Sequence, residues 1–298
     1  MINPFLETKL NYPQMNPAMR RVADVVLSNE DRLRKMTIGK MASESGVSNA
    51  TVTRFIHVLG FRNYKEFSAA VRYFLEEMPE SARNIRKPSE TLINSEFRKN
   101  SSPESICRFV IQSEIEMLKD TLALMDYDLM REVVAMIMSA RQVLFLGEGR
   151  SYLAGMNACS RFLRLGIVAN CYSDYHSMVG AAASCTEEDL VVGISNMGRT
   201  ASVVECLGIA RKNGAATVAI TSAKGSVVDQ SADITLLTGY DYSSFLKDQQ
   251  IVCYEADAEN LPQYAIVDSL YLMCVAAADE SAIDRYRLTA DLINAKRM

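Results

Sequence analysis

Apolar and polar positions follow two different patterns along this chain, and the pattern changes near residue 140. Before that point, apolar residues recur three or four positions apart, which is the spacing of amphipathic helices. After it, short apolar runs rich in β-branched residues alternate with helical stretches, as in strands buried on both faces of a parallel sheet. We therefore expect an all-α N-terminal domain followed by an α/β domain, in which a mostly parallel sheet is flanked by helices in a doubly wound arrangement.

The same patterns place the individual elements. Helices are predicted over residues 16–27, 38–44, 49–59, 63–77, 106–124, 129–138, 153–165, 178–183, 201–212, 264–278 and 281–295. Strands are predicted over residues 143–146, 167–171, 190–194, 217–221, 234–237 and 251–253. Residues 79–102 are polar, contain Pro88 and show no sustained periodicity, so they are interpreted as a linker.

Two of the short N-terminal helices are separated only by the tight turn Ser45-Gly46-Val47. Thr37 and Ser48 stand immediately before these helices and are predicted to cap them. Two short helices joined by a three-residue turn that contains glycine have the outline of a helix-turn-helix. The second helix of that motif enters the major groove of DNA.

The second of these helices divides into an apolar and a polar side. The apolar stripe, which is expected to pack inward, consists of Val52, Phe55, Ile56 and Leu59. The polar side carries small and hydrogen-bonding residues that suit close approach to base edges, and Arg54 can reach a guanine or a phosphate. The candidate DNA-binding residues are Ser48, Asn49, Ala50, Thr51, Thr53 and Arg54. An ordinary polar surface helix is the alternative, and the preceding turn favours DNA binding over it.

In the α/β part, a polar turn over residues 195–200 follows a predicted strand and precedes a predicted helix. A parallel crossover places such a turn at the carboxyl end of a strand and the amino end of a helix. Free backbone N–H groups and the helix dipole favour an anion there. Ser195 and Thr200 add hydroxyl donors, and Arg199 can add a charge-assisted hydrogen bond. The alternative is an ordinary connection in which Ser and Thr only cap the helix.

Two loops together resemble those of a known domain. They resemble the phosphosugar-binding loops of the SIS (sugar isomerase) domain. The matching residues are Gly147-x-Gly149-x-Ser151 in the first loop and Ile194-Ser195-x-x-Gly198-x-Thr200 in the second. The resemblance implies that Ser151, Ser195 and Thr200 hold a sugar phosphate. The full candidate ligand-binding set is Gly149, Ser151, Ser195, Asn196, Gly198, Arg199 and Thr200. The sequence departs from the family pattern at Met197: the family usually has Ser there, and Met cannot donate a hydrogen bond. Either the ligand is still a sugar phosphate held with one donor fewer, offset by Arg199, or the site binds a less anionic sugar derivative.

The helix-turn-helix segment carries a second resemblance. This segment is similar to the N-terminal domain of the RpiR family of bacterial transcriptional regulators. The similarity lies in Met41-Ala42-x-x-Ser45-Gly46-Val47-Ser48-x-Ala50-Thr51-Val52-x-Arg54-Phe55. That family joins a helix-turn-helix to a SIS domain. The resemblance therefore implies a DNA-binding domain over residues 1–78, the linker over 79–102 and a sugar-phosphate-sensing SIS domain over 103–298. It also implies a homodimer or homotetramer, in which paired recognition helices read two half-sites of operator DNA.

The charge of the chain is unevenly distributed. Residues 1–75 carry 11 Lys and Arg against 6 Asp and Glu, a net charge of +5, and the remaining residues carry 21 against 30, a net charge of −9. A basic small domain joined to an acidic large one suggests a nucleic-acid partner for the first domain only.

Cysteine, histidine and hydropathy patterns restrict the other possibilities. The seven cysteines show no C-x-x-C spacing and are interpreted as reduced thiols of a cytoplasmic protein. Only two histidines are present, which argues against a metal site. No apolar run reaches the roughly 18 residues needed to span a bilayer, and the first residues lack the pattern of a signal peptide. We expect a cytoplasmic protein with no metal, no cofactor and no membrane partner.

Three classes of function remain to be weighed. The leading hypothesis is a transcriptional regulator of carbohydrate metabolism, whose SIS domain binds a sugar-phosphate effector that modulates operator binding. The alternative is a sugar-phosphate isomerase, which needs a general base beside C1 or C2 of the sugar; Glu148, His176 and Glu205 are its candidates. A helix-turn-helix has no use in a plain isomerase, so we expect a regulator that is not an enzyme. A purely structural protein would leave both loops unexplained.

Overall fold

The computed structural model describes residues 2–28, 30–77, 102–240 and 260–296. These residues fall into two compact units: the first runs to Ile115 and takes in Tyr240, and the second comprises residues 116–239 and 260–296. The division falls inside a helix that begins at Pro103. The predicted strand over 251–253 and all but the last residue of the predicted linker over 79–102 lie outside the described residues.

The described residues up to Glu77 form six α-helices and a short 3-10 turn over Tyr12–Gln14. The helices are α1 (Pro4–Asn11), α2 (Pro17–Ser28), α3 (Glu30–Leu33), α4 (Ile38–Glu44), α5 (Asn49–Val58) and α6 (Tyr64–Glu77). The four helices predicted in this region are confirmed to within one residue at each end. Helix α1 was not predicted, although its start has a readable signal: the Asn3 side chain accepts from the amides of Phe5 and Leu6, and Pro4 occupies the first helical position.

Helix α5 is fixed in the first unit by its apolar stripe. Val52, Phe55 and Ile56 are completely buried, and α2 and α4 pack against this helix. Each large apolar side chain buried in this way contributes about 1.5–3 kcal/mol. Because the stripe faces inward, the polar side of α5 is turned to solvent.

The second part of the chain alternates strands and helices. Its elements, in chain order, are α7 (Pro103–Leu124), α8 (Tyr127–Ser139), β1 (Gln142–Leu146), α9 (Arg150–Phe162), β2 (Ala169–Tyr172), α10 (Tyr175–Ala183), β3 (Asp189–Ile194), α11 (Ala201–Lys212), β4 (Ala216–Thr221), α12 (Val227–Ser231), β5 (Ile234–Leu237), α13 (Leu261–Ala277) and α14 (Glu280–Asn294). A 3-10 turn, Leu163–Leu165, follows α9 and ends at Gly166 in the left-handed conformation.

The five described strands form one sheet in the order β2-β1-β3-β4-β5, and every neighbouring pair is parallel. Side chains alternate between two buried faces. In β1, Val143 and Phe145 join a core formed with α8, α9 and α13, whereas Leu144 and Leu146 join a core formed with α10, α11 and α12. The predicted doubly wound α/β architecture is confirmed. The strand order reverses between β1 and β3, which makes the carboxyl ends of these two strands the switch point of the sheet.

Several elements differ from the prediction: α7 begins at Pro103 instead of residue 106, α13 begins at Leu261 instead of residue 264, and α3 was not predicted. Helix α9 begins at Arg150 instead of residue 153, and α10 begins at Tyr175 instead of residue 178, because polar first turns carry no apolar periodicity. Helix α12 was not predicted, since five residues are too few to show a period. No single helix among the described residues is long and apolar enough to cross a membrane; only α13 and α14 together pass on length and composition, and they are bent by 119°.

Candidate anion site and nucleic-acid interface

The loops after β1 and β3 meet at the carboxyl edge of the sheet, because these strands are parallel neighbours. A Cβ atom at Gly147 would lie 3.2 Å from the Ile194 carbonyl oxygen, so glycine suits this close approach of the two chains. Further out, the Ser202 hydroxyl donates to the Glu148 carboxylate and joins the two loops. The two loops therefore enclose the switch-point crevice, where open α/β sheets bind their ligands.

Ser195 and Thr200 face each other across the loop after β3. Ser195 is buried, its Oγ lies 2.9 Å from Thr200 Oγ1, and the Thr200 amide donates to the same Oγ at 3.4 Å. Thr200 stands at the N-cap of α11, yet its hydroxyl pairs with Ser195 and makes no capping bond. Helix α11 therefore begins without a side-chain cap, and the N–H groups of its first turn remain available at the positive end of the dipole. A helix start of this kind suits an anion.

A single carbonyl group holds this loop against the end of β4. The Asn196 carbonyl oxygen accepts hydrogen bonds from the Ser222 amide (2.9 Å), the Ser222 hydroxyl (2.8 Å) and the Thr221 hydroxyl (3.0 Å). Both polar atoms of the Asn196 side chain are shielded from solvent, and neither bonds to any other described residue. Buried polar groups are nearly always paired, so an unpaired amide in this loop is unusual.

Gly198 sets the curvature of the loop. Its φ of 63° lies in the left-handed region, and a Cβ atom here would stand 2.0 Å from Ser226 Oγ and 2.4 Å from Ser226 Cβ. Its carbonyl oxygen accepts from the Val228 amide at 3.1 Å, and its own amide donates to the Ser195 carbonyl at 3.0 Å. The loop after β3 is thus packed directly on the start of α12, and only glycine fits at this point.

The loop after β1 also turns on a glycine and leads into an uncapped helix. Gly149 has φ 55° and ψ −125°, and α9 begins directly after it without a side-chain cap. Ser151 lies in the first turn of α9, where its amide donates to the Glu148 carbonyl at 3.2 Å. Its Oγ accepts a hydrogen bond from Gln263 Nε2 at 3.3 Å. Beside it, Asn260 Nδ2 donates to the Arg150 carbonyl at 2.9 Å.

The remaining predicted residues of this region lie nearer to solvent. Arg199 is exposed and forms no ion pair within the described part of the chain, while Met197 is half-buried. Glu205, a candidate base, is exposed on α11, and both of its carboxylate oxygens accept from the Tyr175 hydroxyl at 3.0 Å. That hydrogen bond raises the pKa of Tyr175. His176 is exposed in the first turn of α10.

The predicted recognition helix has the expected local geometry. Ser48 Oγ accepts from the Thr51 amide at 3.3 Å and caps α5, and Gly46 in the preceding turn has φ 60°. Ser48 caps α5, and the other five candidate DNA-binding residues lie in its first two turns. Of these, Ser48, Asn49, Ala50 and Arg54 are exposed and Thr51 and Thr53 are half-buried. The Thr53 hydroxyl is engaged with the Asn49 carbonyl at 3.0 Å, which leaves Arg54 as the longest free donor on this surface.

The described residues contain no group of three or more His, Cys, Asp or Glu side chains that could hold a metal ion. Among the cysteines that the structure describes, six are free thiols and four of these are buried. The switch point brings together hydroxyl groups, amides and two helix N-termini, which suit an anion.

Two known protein domains match this chain in the order in which the two units occur. The helix-turn-helix domain of the rpiR family matches residues 6–77, and the SIS domain matches residues 136–254. The chain belongs to the RpiR family. It is an HTH-type transcriptional regulator with a SIS domain.

Individual relatives agree with this assignment. An HTH-type transcriptional regulator of Haemophilus influenzae is 24% identical over 287 residues, which cover 96% of this chain and 95% of the relative. The HTH-type transcriptional regulator HexR of Pseudomonas aeruginosa is 27% identical over 223 residues, which cover 75% and 74% of the two chains. Among solved structures, the Vibrio vulnificus NanR protein complexed with ManNAc-6P matches with a TM-score of 0.58 at 22% identity over 99% of both chains. The similarity to the NanR structure shows that the two proteins share a fold.

Two residues that contact the site loops of this RpiR-family regulator were not predicted from the sequence. Asn260 and Gln263 come from the start of α13 and contact the loop after β1 from more than a hundred residues away. Gln263 is buried, and the only local signal for it is a polar residue within a helix that is otherwise apolar on that side.

Proposed function

We propose that the second unit of this regulator binds a sugar phosphate as an effector, and that binding changes the affinity of the first unit for operator DNA. The observation that carries the proposal is the uncapped start of α11, which stands beside the paired hydroxyls of Ser195 and Thr200. A phosphate group provides the negative charge and the acceptor oxygens that these donors lack among the described residues.

The proposed site supplies donors of three kinds. The first-turn N–H groups of α11 and α9 point from two helix termini, and Ser151, Ser195 and Thr200 add hydroxyl groups. Arg199, which is exposed and without an ion pair among the described residues, can add a charge-assisted bond. Met197 provides no donor where the family pattern has Ser, so the site has one hydroxyl fewer, and Arg199 offsets its loss.

We propose that this site binds its ligand without converting it. An isomerase base must reach the carbon-bound proton of the sugar. Glu205, however, is exposed and hydrogen-bonded to Tyr175, and His176 is exposed at the start of another helix. Glu148, the third candidate, is exposed, and its carboxylate accepts a hydrogen bond from Ser202. Relatives that cover nearly the whole chain are named as transcriptional regulators, which supports the same view.

A panel of hexose 6-phosphates tests the effector proposal, and ManNAc-6P belongs in it because the NanR structure contains that ligand. An effector that binds only the folded state raises the unfolding midpoint, and above the Kd this rise grows with the logarithm of the effector concentration. We expect at least one sugar phosphate to do so, its dephosphorylated sugar to have no effect, and the same compound to shift DNA binding in a gel assay. A panel without any stabilising phosphate, or a ligand that leaves DNA binding unchanged, would contradict the proposal.

We propose that α5 is the recognition helix and that the regulator acts as a homodimer or homotetramer. A helix-turn-helix dimer reads two half-sites one helical turn, or a multiple of it, apart. The first unit carries the basic charge that DNA binding requires, since residues 1–75 have a net charge of +5. Operator sequences enriched in vitro should therefore show two related half-sites at that spacing.

Arg54→Ala should weaken binding to an enriched operator by about 1–3 kcal/mol, because Arg54 is the longest exposed donor on the polar side of α5. The matched control is Arg72→Ala, which removes the same charge from an exposed position on α6. Gel shifts at fixed salt measure both. If Arg54→Ala and Thr51→Ala together bind as tightly as the wild type, another element reads the DNA.

A further inference from the structure

Gln263 is a buried side chain at the crevice with one satisfied and one unsatisfied polar atom. It is 1% exposed, in the first turn of α13, and its Nε2 donates to Ser151 Oγ at 3.3 Å. Its Oε1 is shielded from solvent and has no hydrogen-bond partner among the described residues. An unpaired amide oxygen destabilises a protein, so its retention at this position calls for a reason other than stability.

The bond to Gln263 decides what the Ser151 hydroxyl can do. A serine hydroxyl has a single hydrogen and two lone pairs. Because Ser151 Oγ accepts from Gln263, one lone pair is occupied and the hydrogen must point elsewhere. If the amide were reversed, Oε1 would accept that hydrogen and Ser151 would lose its only donor. With Nε2 as the donor, Ser151 keeps its own hydrogen for another acceptor.

We propose that Gln263 is a positioning residue for the phosphate site. By donating to Ser151, it directs the hydroxyl hydrogen of Ser151 to a phosphate oxygen. This inference rests on the proposed function, and it adds the C-terminal helix α13 to a site otherwise built from two loops.

Helix α13 is held firmly enough on α9 to keep this donor in place. The Asp268 carboxylate bonds Arg161 Nε at 2.9 Å and Arg161 NH2 at 3.2 Å, and it also accepts from Asn157 Nδ2 at 3.1 Å. Asn260 bonds the Arg150 carbonyl at the start of α9. Since α9 also carries Ser151, the donor and the hydroxyl are fixed relative to each other by several contacts rather than by their own bond alone.

A purely structural role for Gln263 predicts a different response to substitution. Gln263→Met keeps the length of the side chain but removes both the donor and the unpaired oxygen. A positioning residue should then leave the unfolding midpoint of the ligand-free protein within about 1 °C of the wild type, or raise it, since a buried unpaired group is lost. A structural residue should lower that midpoint.

Inorganic phosphate is the probe, and its Kd follows from the rise of the unfolding midpoint of the full chain at constant ionic strength. We expect Gln263→Met to weaken phosphate binding by about three- to tenfold, the effect of one neutral hydrogen bond. Gln263→Glu, which accepts but does not donate and adds a negative charge, should weaken it by more than about 30-fold. Gln112→Glu is the control for charge, because Gln112 is exposed on α7.

A double-mutant cycle with Ser151→Ala completes the test. If Gln263 acts through Ser151, Gln263→Met should change the Kd by less than about twofold in the Ser151→Ala background and keep its full effect in the Thr200→Val background. Wild-type phosphate affinity in Gln263→Met would overturn this inference and leave the proposed function standing. An equal loss in every background, together with a lower ligand-free midpoint, would also overturn it. A wild type that responds neither to phosphate nor to any sugar phosphate of the panel would remove both proposals.

Discussion

Ser195→Ala and Thr200→Val are each expected to weaken binding of the effector by about tenfold or more, because each removes a hydrogen bond to a charged phosphate that contributes about 1.5–3 kcal/mol. Both hydroxyls stand at the start of α11, and Ser195 is buried. Isothermal titration with the best sugar phosphate from the panel measures the loss. The wild-type affinity in both variants would place the site elsewhere.

The fold should survive these two substitutions. Two control variants test whether the loss of affinity is specific to the phosphate site. Ser160→Ala and Thr289→Val make the same chemical changes at an exposed and a half-buried position, where each hydroxyl bonds a carbonyl group of its own helix. These two variants should bind the effector as the wild type does. If they also lose affinity, the effect of Ser195→Ala and Thr200→Val cannot be assigned to the phosphate.

The two site substitutions should not be additive. Ser195 Oγ and Thr200 Oγ1 are 2.9 Å apart and share one hydrogen between them, so removing either hydroxyl also releases the other from its partner. We expect the double variant to lose less affinity than the sum of the two single losses, as is usual for residues in direct contact. A fully additive double variant would indicate that the two hydroxyls act at separate points of the ligand.

The sequence was most informative where structure is set by neighbouring residues. The strand-turn-helix pattern was enough to locate both loops, since the apolar runs before and the helices after them are local features. The caps at Thr37 and Ser48 were also predictable and lie where expected, with Thr37 Oγ1 accepting from the Lys40 amide and Ser48 Oγ from the Thr51 amide.

What the sequence could not show depends on packing between distant segments. Thr200 has the position of a helix cap, but its hydroxyl is turned towards Ser195, a choice that the loop geometry makes. The contact of Gln263 with Ser151 joins residues 112 positions apart and follows from the docking of α13 on α9. Helices α1 and α12 were missed, although the capping residues Asn3 and Ser226 mark their starts.

Gly198→Ala is expected to lower the free energy of unfolding more than the addition of a methyl group at any other position of this site. Alanine at φ 63° costs about 1–2 kcal/mol, and the new Cβ would stand 2.0 Å from Ser226 Oγ and 2.4 Å from Ser226 Cβ. The second contact cannot be relieved by rotating the serine side chain, so the loop or the start of α12 has to move. Together we expect a loss of about 2–4 kcal/mol and a fall in the unfolding midpoint of about 5–15 °C.

Effector binding should fall with it, because the loop after β3 carries Ser195 and Thr200 and is held in place through Gly198. The matched control is Gly208→Ala in the middle of α11, where a Cβ meets nothing within 4 Å. That change should stabilise the protein by about 0.5–1 kcal/mol, since alanine favours a helix over glycine, and leave the effector affinity unchanged.

The stability loss of Gly198→Ala has two causes, the contact with Ser226 and the left-handed backbone, and a second substitution separates them. Ser226→Gly removes the side chain that the new methyl group would strike, while glycine at the N-cap of α12 costs only a few tenths of a kcal/mol. In the Gly198→Ala background it should restore the part of the stability lost to the contact and leave the part due to the left-handed backbone. If Ser226→Gly restores nothing, backbone strain alone fixes glycine at this position. If Gly198→Ala unfolds at the wild-type temperature, the loop after β3 is not packed on α12 as described, and the geometry of the phosphate site has to be revised with it.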